Sequence, residues 1–384
     1  MSARKLAIVA GESSGDALGA KLMAALRAGA GQDIAFVGVG GSAMAGQGLE
    51  SFFPLGDIHV MGISAVLARL PLILRRIRET AERIVAERPD GLIIIDSPDF
   101  THRVAMRVRK ALPGLKVVDY VSPSVWAWRP GRARAMRAYV DRVLALLPFE
   151  PAAHRRLGGP DCVYVGHPLT ERLAELRPSA AEAARRGAKP PLVLVLPGSR
   201  RSEIERLMSP FGEALAMLSK RVGPFDLALP TLPHVEALAR SQSAHWPVLP
   251  RIVLGEAEKF ALFRSARAAL AASGTVTLEL ALAGVPHVGA YRVSGLELLV
   301  RPFVSTTSFL LPNLVLGEKA IPELMQEDCT PDRLAGALAP LIGDGPERAA
   351  QVGALARLDA LMALPDGQAP SAAAARAAME VLGW

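Results

Sequence analysis

Short apolar runs alternate along the chain with longer segments in which apolar residues recur at helical spacing. In the first half, the apolar runs span residues 6–10, 35–39, 92–95, 117–121 and 143–147. Gly, Pro or Ser closely follows each run before a helical pattern begins. Strands that are apolar on both faces and alternate with helices are typical of a parallel sheet covered on both sides. The pattern predicts a doubly wound α/β domain over residues 1–168.

The pattern changes between residues 169 and 190, where Ala, Arg and Pro dominate and no strand is indicated. We interpret this segment as a linker helix at a domain boundary. Apolar runs then resume at residues 192–196, 227–229, 252–254, 268–272 and 287–290. They predict a second Rossmann-like domain over residues 191–365. The Ala-rich segment 366–384 is expected to form a C-terminal helix, and its packing back on the first domain stays open.

Both halves begin with a strand, a short polar turn and a helix. The turn reads Gly-Glu-Ser-Ser-Gly-Asp over residues 11–16 and Pro-Gly-Ser-Arg over residues 197–200. Ligands of open parallel sheets bind outside the carboxyl ends of the strands. We therefore expect an α/β protein of two Rossmann-like, doubly wound domains that face a cleft. This architecture suits an enzyme with two substrates.

Composition narrows the class of protein. The chain has 384 residues, 51% of them hydrophobic, which excludes a disordered protein. Lys and Arg outnumber Asp and Glu by 44 to 37, and the net charge of +7 suits phosphorylated ligands or an anionic membrane. No nucleic-acid-reading motif accompanies the basic residues, so nucleic acid is not expected as a partner. Two distant cysteines, no secretory signal and no apolar run of the ~18–20 residues that span a bilayer predict a cytoplasmic protein.

Two strand-to-helix turns of the second half, residues 198–203 and 272–279, suit a nucleotide diphosphate. In both, the N-terminal amides and the dipole of a helix favour an anion. The first turn adds the charge of Arg200, and the second places Glu279 where a carboxylate can accept ribose hydroxyls. The alternatives are a plain turn with a solvated arginine and an ordinary helix cap. Two such turns in one domain favour diphosphate binding. The candidate residues are Gly198, Ser199, Arg200, Ser273, Gly274, Thr275 and Glu279.

The turn over residues 11–16 is neither a dinucleotide-binding glycine motif nor a P-loop. It carries two acids among small residues, a composition that suits the binding of hydroxyl groups. The Gly-rich turn over residues 38–41 is equally compatible with a ligand contact and with a tight connection between elements. The candidate residues of the first turn are Gly11, Glu12, Ser14, Gly15 and Asp16.

Asp96 closes a predicted strand, where a carboxylate points into the expected cleft and can act as a general base. The alternative is an Asp that caps the following helix, a role that suits Asp99. The Asp-x-x-Asp spacing differs from the Asp-x-Asp of metal-dependent sugar transferases, and no His, Cys and Asp cluster indicates a metal. Neither a metal nor a cofactor is expected.

Residues 120–129 combine Ser and Pro with two of the four Trp, and several arginines follow. Buried aromatic side chains are one explanation of this composition. The polar loop and the arginines instead favour a ligand-binding surface, with Arg129, Arg132 and Arg134 as candidates for a phosphate. Ser122, Trp126 and Asp99 complete the candidate residues of this surface.

An apolar stripe at helical spacing runs through residues 61–85, with arginines on its other side. Pro71 is expected to split the segment into two helices. Such a stripe is ordinarily core, and the alternative is a surface that contacts a membrane or acyl chains. The candidate residues for that contact are Ile63, Val66, Leu67, Leu70, Ile73 and Leu74.

Taken together and in this order, the motifs resemble those of the lipid-A-disaccharide synthases, sugar-nucleotide-dependent transferases of the GT-B type. The resemblance rests on residues 11–16, 95–100, 120–129, 147–150, 165–168, 196–200, 273–279, 311–313 and 322–326. It extends over nearly the whole chain, and residues 121–129 are its most specific part. Thr101 departs from the family pattern, in which an Asn often follows the Phe, so the local hydrogen bond there is open to question.

The resemblance implies an inverting transfer from UDP-2,3-diacylglucosamine to 2,3-diacylglucosamine 1-phosphate, which gives a β-1′,6-linked disaccharide and UDP. It also implies a peripheral position on the cytoplasmic face of the inner membrane and no metal, and it leaves a homodimer open. Asp96 and Arg200 match the family's important aspartate and arginine. The implied UDP-contacting residues are Arg200, Ser273, Gly274, Thr275, Glu279, Tyr291, Asn313, Glu323 and Gln326.

Asp96 is then expected to deprotonate the acceptor's 6-hydroxyl while UDP leaves from the opposite face of the donor sugar. Arg200 and fixed dipoles are expected to meet the charge that develops on UDP. A UDP-sugar epimerase of the same two-domain architecture is the alternative enzyme. A non-catalytic lipid- or nucleotide-binding module is the alternative outside enzymes.

Overall fold

The structure is a computed structural model that describes residues 4–30, 33–58, 63–293, 304 and 306–384, with the backbone alone at residues 63–68 and 366. The chain divides into two compact units. The first comprises Met1–Thr170 and Ala363–Trp384, and the second comprises Glu171–Met362.

The first unit contains a seven-stranded sheet in which all neighbouring strands are parallel. The strand order is β3-β2-β1-β4-β5-β6-β7. The strands are β1 (Arg4–Ala10), β2 (Ile34–Val39), β3 (Glu50–Ser51), β4 (Gly91–Ile95), β5 (Lys116–Tyr120), β6 (Arg142–Ala145) and β7 (Asp161–Tyr164). The helices between them are α1 (Ser13–Ala30), α2 (Ser42–Ala45), α3 (Ile63–Glu87), α4 (Pro98–Ala111), α5 (Gly131–Met136) and α6 (Glu150–Leu157).

The second unit contains a six-stranded sheet, also parallel between neighbours. Its strand order is β10-β9-β8-β11-β12-β13. The strands are β8 (Leu192–Leu196), β9 (Asp226–Thr231), β10 (Arg251–Leu254), β11 (Ala268–Ala272), β12 (His287–Tyr291) and β13 (Glu323–Met325). The helices begin with α7 (Leu173–Leu176), α8 (Ala180–Arg185), α9 (Arg201–Val222), α10 (Pro233–Ser243) and α11 (Glu256–Ser265). They continue with α12 (Thr275–Leu282), α13 (Leu311–Leu316), α14 (Pro331–Ile342), α15 (Pro346–Ala356) and α16 (Leu358–Met362).

The chain ends in α17 (Pro370–Leu382), which belongs to the first unit. Its alanine face, which includes Ala374 and Ala378, packs in one core layer with Leu22 and Leu26 of α1. The opposite face of the same sheet is covered by α3 and α4, and Ile84 of α3 is fully buried there. Helices on both faces explain the apolar runs of the central strands, such as the fully buried β4, because neither face meets water there.

The prediction of two doubly wound α/β domains is confirmed in its fold class, and each of the ten predicted apolar runs overlaps an observed strand, with the runs at 117–121 and 143–147 extending one and two residues beyond theirs. Three strands were not predicted: β3, β7 and β13. All three lie at sheet edges, and they span only two to four residues. An edge strand is shorter and partly exposed, so it carries no continuous apolar run.

The prediction that Pro71 splits the apolar segment is wrong, since α3 continues from Ile63 to Glu87 with Pro71 inside it. A proline removes one backbone hydrogen bond and crowds the carbonyl of the preceding turn, which bends a helix without necessarily ending it. Burial of Ile77 and Ile84 against the sheet holds the following turns in helical form. The segment predicted as a linker helix, residues 169–190, contains α7 and α8, which fall within the second unit.

Replacing Leu207 by Ala should lower the free energy of unfolding of the second unit. Leu207 on α9 is fully buried in the core between helix and sheet. Removal of a buried leucine side chain leaves a cavity and costs about 2–5 kcal/mol. Urea unfolding followed by circular dichroism measures the change. Leu361→Ala is the matched control, because the Leu361 side chain is 43% exposed; equal losses in the two variants would contradict this assignment of the core.

Candidate functional site

Asp96 lies at the carboxyl end of the first sheet, directly after β4, in a turn of unusual backbone conformation. Asp96 and Ser97 both have positive φ angles, 55° and 47°. This conformation costs a residue with a side chain about 1–2 kcal/mol. The turn lies against Gly11, where a Cβ would come within 2.2 Å of the Ser97 Cβ. Glycine is therefore required at this position of the first turn.

Two hydrogen bonds orient the Asp96 carboxylate. Its Oδ1 accepts the Ser97 amide at 2.7 Å, and its Oδ2 lies 3.2 Å from the donating Ser14 hydroxyl. The carboxylate is partly exposed, so it remains accessible to a ligand. The arrangement fits a base whose direction is set by its own backbone.

The acids of the turn over residues 11–16 differ in their surroundings. Asp16 is buried and accepts the backbone amides of Gly41, Ala43 and Met44 at 2.7–3.0 Å. It therefore anchors the Gly-rich turn after β2 and the start of α2 to α1. Glu12 is exposed at the start of α1. Of the two acids, Glu12 is the one placed to meet a ligand.

The loop after β5, residues 121–130, is called the Trp126 loop. Two buried side chains that were not predicted from the sequence hold it in place. Ser122 Oγ lies 2.9 Å from His154 Nε2, and Trp126 Nε1 donates to Glu150 Oε1 at 3.2 Å. Both supporting residues belong to α6. The signal for Glu150 in the sequence was the block over residues 147–150, which was noted only as part of the family resemblance, and His154 lies outside that block. The charged group of a buried Glu has to be satisfied locally, so such a residue marks a built contact.

Burial sets the protonation of these two groups. It raises the pKa of Glu150 to about 7, against the opposing effect of hydrogen bonds from the Leu147 amide and the Trp126 indole. Burial also lowers the pKa of His154, so that the ring in contact with Ser122 is neutral at pH 7. Burial thus shifts both supporting groups toward their neutral forms.

The arginines of this loop are already paired in part. Arg132 donates to Asp99 Oδ1 at 2.7 Å, and Arg129 lies 3.7 Å from the same oxygen. Asp99 follows Pro98 in the first turn of α4, whose N-cap residue is Ser97. Asp99 is therefore not the N-cap residue of α4. Its exposed carboxylate holds the arginines near the Asp96 turn.

A cavity of about 530 Å³ lies at the carboxyl edge of the second sheet. It brings together Gly198, Ser199, Arg200, Ser273, Gly274, Thr275, Glu279 and Tyr291. The lining also includes Pro230–Pro233 at the end of β9 and Lys259 on α11, none of which was predicted from the sequence. The βα turns carried a phosphate-type signal, whereas a single Lys within a helix carried none.

Glu203 occupies the amides at the start of α9. Its Oε2 accepts the amides of Ser199 and Arg200 at 2.9 and 3.1 Å, and its Oε1 lies 3.2 Å from Arg200 Nη1. The Tyr291 hydroxyl is 3.4 Å from the same oxygen. An acid three residues after the N-cap is a known capping pattern, so this contact was detectable from the sequence. The guanidinium of Arg200 is the cationic group that this turn presents to a ligand.

Glu279 faces Lys259 with both carboxylate oxygens, at 2.8 and 3.0 Å. Lys259 Nζ also lies 4.8 Å from the centre of the Phe260 ring. The pair leaves the carboxylate fixed in direction and neutralised, and it lies in the cavity wall. A group held in this way can accept ligand hydroxyls without first being ordered.

Three of the residues implied for UDP lie outside the described lining of this cavity: Asn313, Glu323 and Gln326. The buried Asn313 amide donates to Ile321 O and Glu323 Oε1 at 2.9 and 2.7 Å. Glu323 also accepts the amide of Phe309, whose carbonyl accepts the Ser273 hydroxyl at 2.7 Å. The network connects Asn313 and Glu323 to the wall of the cavity through Ser273, whereas Gln326 accepts the Val293 amide at 3.0 Å.

A larger cavity of about 940 Å³ lies at the amino ends of β8 and β11. Its arginines are committed to carbonyl groups at helix ends. Arg186 donates to Ala283 O and Gly284 O, and Arg267 donates to Ile342 O and Gly343 O. Guanidinium groups used in this way stabilise helix C-termini. We therefore place the ligand site at the carboxyl edge instead.

The apolar stripe on α3 is divided between core and surface. Ile77 and Ile84 are buried against the sheet, and Ile73 packs partly against the same core. Leu70 and Leu74 are 39% and 42% exposed. The side chains of Ile63, Val66 and Leu67 lie outside the described residues. Among the helices that the structure describes, none has the length and apolarity needed to cross a bilayer.

Replacing Glu150 by Gln should change how stability depends on pH. Because its pKa is raised in the folded protein, the stabilising effect of the neutral carboxyl is complete below pH 4.5 and is lost as the pH rises to about 7. One pKa unit corresponds to about 1.4 kcal/mol. The free energy of unfolding of the variant should therefore rise relative to that of the wild type by about this amount for each pH unit between 4.5 and about 7. Urea unfolding at several pH values measures this difference. If the free energy of unfolding depended on pH in the same way in both proteins, the raised pKa of Glu150 would be contradicted.

Comparison with known proteins identifies the family. The family model described as lipid-A-disaccharide synthetase matches residues 6–374. The lipid-A-disaccharide synthase of Rhodopseudomonas palustris strain HaA2 is 57% identical over 99% of this chain and 96% of its own length. The synthase of Nitrobacter hamburgensis is 56% identical with the same coverage.

Solved structures resemble the chain in fold. The S. aureus MnaA–UDP co-structure has a TM-score of 0.66 at 13% identity, covering 99% of this chain and 97% of that one. The Neisseria meningitidis UDP-GlcNAc 2-epimerase bound to UDP-GlcNAc has a TM-score of 0.60 at 12% identity, covering 98% and 99%. The calicheamicin glycosyltransferase CalG4 has a TM-score of 0.58 at 16% identity, covering 100% and 99%. At these identities the likeness to an epimerase extends to the fold alone, whereas the sequence match covers nearly every residue: the chain belongs to the lipid-A-disaccharide synthase family.

Proposed function

We propose that this chain transfers 2,3-diacylglucosamine from its UDP derivative to the 6-hydroxyl of 2,3-diacylglucosamine 1-phosphate. The acceptor oxygen forms a bond to the anomeric carbon, and the bond from that carbon to the β-phosphate of UDP breaks. The hydroxyl proton passes to a carboxylate, and the products are UDP and a β-1′,6-linked disaccharide 1-phosphate. Family membership over the whole chain is the observation that carries this proposal.

Asp96 is the proposed base. It is partly exposed at the carboxyl end of a parallel strand, the edge at which such sheets bind ligands. The Ser97 amide and Ser14 hydroxyl direct its oxygens. A base of fixed direction lowers the barrier because less ordering remains to be done during reaction.

The cavity of the second unit is the proposed UDP site. Its turn at residues 273–275 presents the start of α12 to a diphosphate, and Glu279 lies one turn further for the ribose hydroxyls. Arg200, whose side chain is 59% exposed, is proposed to meet the charge on the leaving UDP. Its ion pair with Glu203, at 3.2 Å, leaves most of the guanidinium accessible to a ligand.

The acceptor's 1-phosphate is assigned to the arginines of the Trp126 loop. Arg129 and Arg132 share the one carboxylate of Asp99, so two cations meet one anion there. A phosphate brings the missing negative charge, and arginine forms charge-assisted bonds with it. We propose that exposed apolar residues of α3 contact the acyl chains and the membrane surface, with the protein peripheral on the cytoplasmic face of the inner membrane.

Asp96→Asn and Arg200→Ala should each reduce turnover by about 10²–10³-fold, as expected when one well-placed charge is removed from a transition state. UDP release and disaccharide formation are measured together with both acylated substrates. Arg201→Ala is the control for Arg200, because the neighbouring Arg201 is exposed and pairs with Glu205. Full activity in Asp96→Asn would remove it as the base. An epimer formed from the UDP-sugar without acceptor would contradict the transferase itself.

Replacing both Leu70 and Leu74 by Ser should weaken binding to anionic phospholipid vesicles by about tenfold or more, since burial of each leucine side chain is worth about 1.5–3 kcal/mol. Vesicle co-sedimentation measures the change. Leu361→Ser, which alters a similarly exposed leucine on α16, is the control. Unchanged vesicle binding in the double variant would show that Leu70 and Leu74 do not contact the membrane and serve the fold alone.

A further inference from the structure

The Asp96 turn requires a support that its own backbone does not supply. Two successive residues with side chains, Asp96 and Ser97, hold left-handed conformations. Such strain persists only where surrounding contacts enforce it. The peptide between these two residues matters most, because its N–H is the group that donates to Asp96 Oδ1 at 2.7 Å. A rotation of that peptide would turn the donor away from the carboxylate.

The other end of the same peptide is held by Thr101. Thr101 lies in the first turns of α4, fully buried, and its Oγ1 donates to the Asp96 carbonyl at 2.6 Å. The peptide group is planar, so its C=O and N–H cannot turn independently. Fixing the carbonyl therefore fixes the N–H that orients the carboxylate. The connection runs through one hydrogen bond, one rigid plane and a second hydrogen bond.

A threonine in a helix often returns its hydroxyl to a carbonyl four residues earlier, for reasons of helix geometry alone. Thr80 on α3 does this, with its Oγ1 2.7 Å from Arg76 O, and it too is fully buried. Thr101 differs. The carbonyl four residues before Thr101 is that of Ser97, the helix N-cap, and it lies 3.2 Å from the Thr101 Oγ1. The shorter hydrogen bond, 2.6 Å, goes to the carbonyl of Asp96, the residue before the N-cap. The hydroxyl is thus directed at the strained turn.

We propose that Thr101 is a positioning residue of the transfer reaction, acting through Asp96. The inference rests on the proposed function, in which Asp96 is the base. Thr101 touches neither substrate in this account. Its contribution is to hold the Asp96–Ser97 peptide so that the carboxylate meets the acceptor hydroxyl in the reactive direction.

The test compares Thr101→Val with Thr101→Ser and Thr80→Val. Valine keeps the shape of threonine and removes the hydroxyl. We expect Thr101→Val to lower kcat by about 10–100-fold, the range expected for a slightly misplaced reacting group, with little change in KM for either substrate. Thr101→Ser, which retains the hydroxyl, should remain close to wild type. Thr80→Val removes an equally buried hydroxyl bond elsewhere in the same unit, and should lose stability without losing kcat.

A double-mutant cycle separates positioning from a general loss of structure. If Thr101 acts through Asp96, adding Thr101→Val to Asp96→Asn should reduce the residual rate by no more than about twofold, because groups that act together are not additive. Losses that multiply would overturn the inference, as would a wild-type kcat in Thr101→Val or an equal loss of kcat in Thr80→Val. If Thr101→Val fails to fold, an inactive Thr101→Ser of wild-type stability overturns it equally. Wild-type rates in Asp96→Asn would instead overturn the proposed base, so the two failures are distinguishable.

Discussion

The geometry of the Asp96 region depends on one hydrogen bond at the end of the β4–β5 ladder. The regular pairing ends with Ile95 opposite Tyr120, and the Asp96 amide then donates to the Tyr120 carbonyl at 3.1 Å. Beyond this bond both chains turn sharply, at Asp96 on one side and at Val121, with φ 83°, on the other. A single backbone contact therefore fixes where the carboxylate and the Trp126 loop begin relative to each other. The rest of the region follows from what is attached to these two starting points.

The second unit prepares its site in another way, by balancing charge beforehand. Glu203 satisfies amides at the start of α9, and Lys259 neutralises Glu279. A site that holds opposite charges in fixed positions loses little when a ligand with both phosphate and hydroxyl groups enters. The Arg200 side chain is exposed, whereas Glu203 is buried and keeps its hydrogen bonds from the Ser199 and Arg200 amides, so this cation can turn to an anionic ligand while Glu203 stays hydrogen-bonded. Backbone strain dominates one unit and electrostatic balance the other.

The sequence predicted the parts of this structure that follow from periodicity. Buried parallel strands are apolar without interruption, and the turns after them were located to within a residue or two. Edge strands such as β3 were missed because partial exposure removes the apolar run. Pro71 was overinterpreted, since the packing of α3 against the sheet outweighs one lost hydrogen bond. Asp96 and Arg200 stood out by residue type and position, whereas Lys259 and His154 depend on contacts between distant segments, which periodicity does not encode.

The left-handed residues show why local pattern alone falls short at the site. Among the described residues, six other than glycine have positive φ, and four of them come directly after strands: Asp96, Ser97, Val121 and Gln326. Propensity disfavours each of them, because the left-handed region crowds the Cβ atom. Buried polar groups support part of this backbone: the Thr101 hydroxyl bonds the Asp96 carbonyl, and Glu150 and His154 of α6 bond side chains of the loop that begins at Val121. A buried polar group with no apparent ligand is then best explained by the strained backbone that it supports. In this protein, that backbone holds the candidate catalytic and ligand-binding residues.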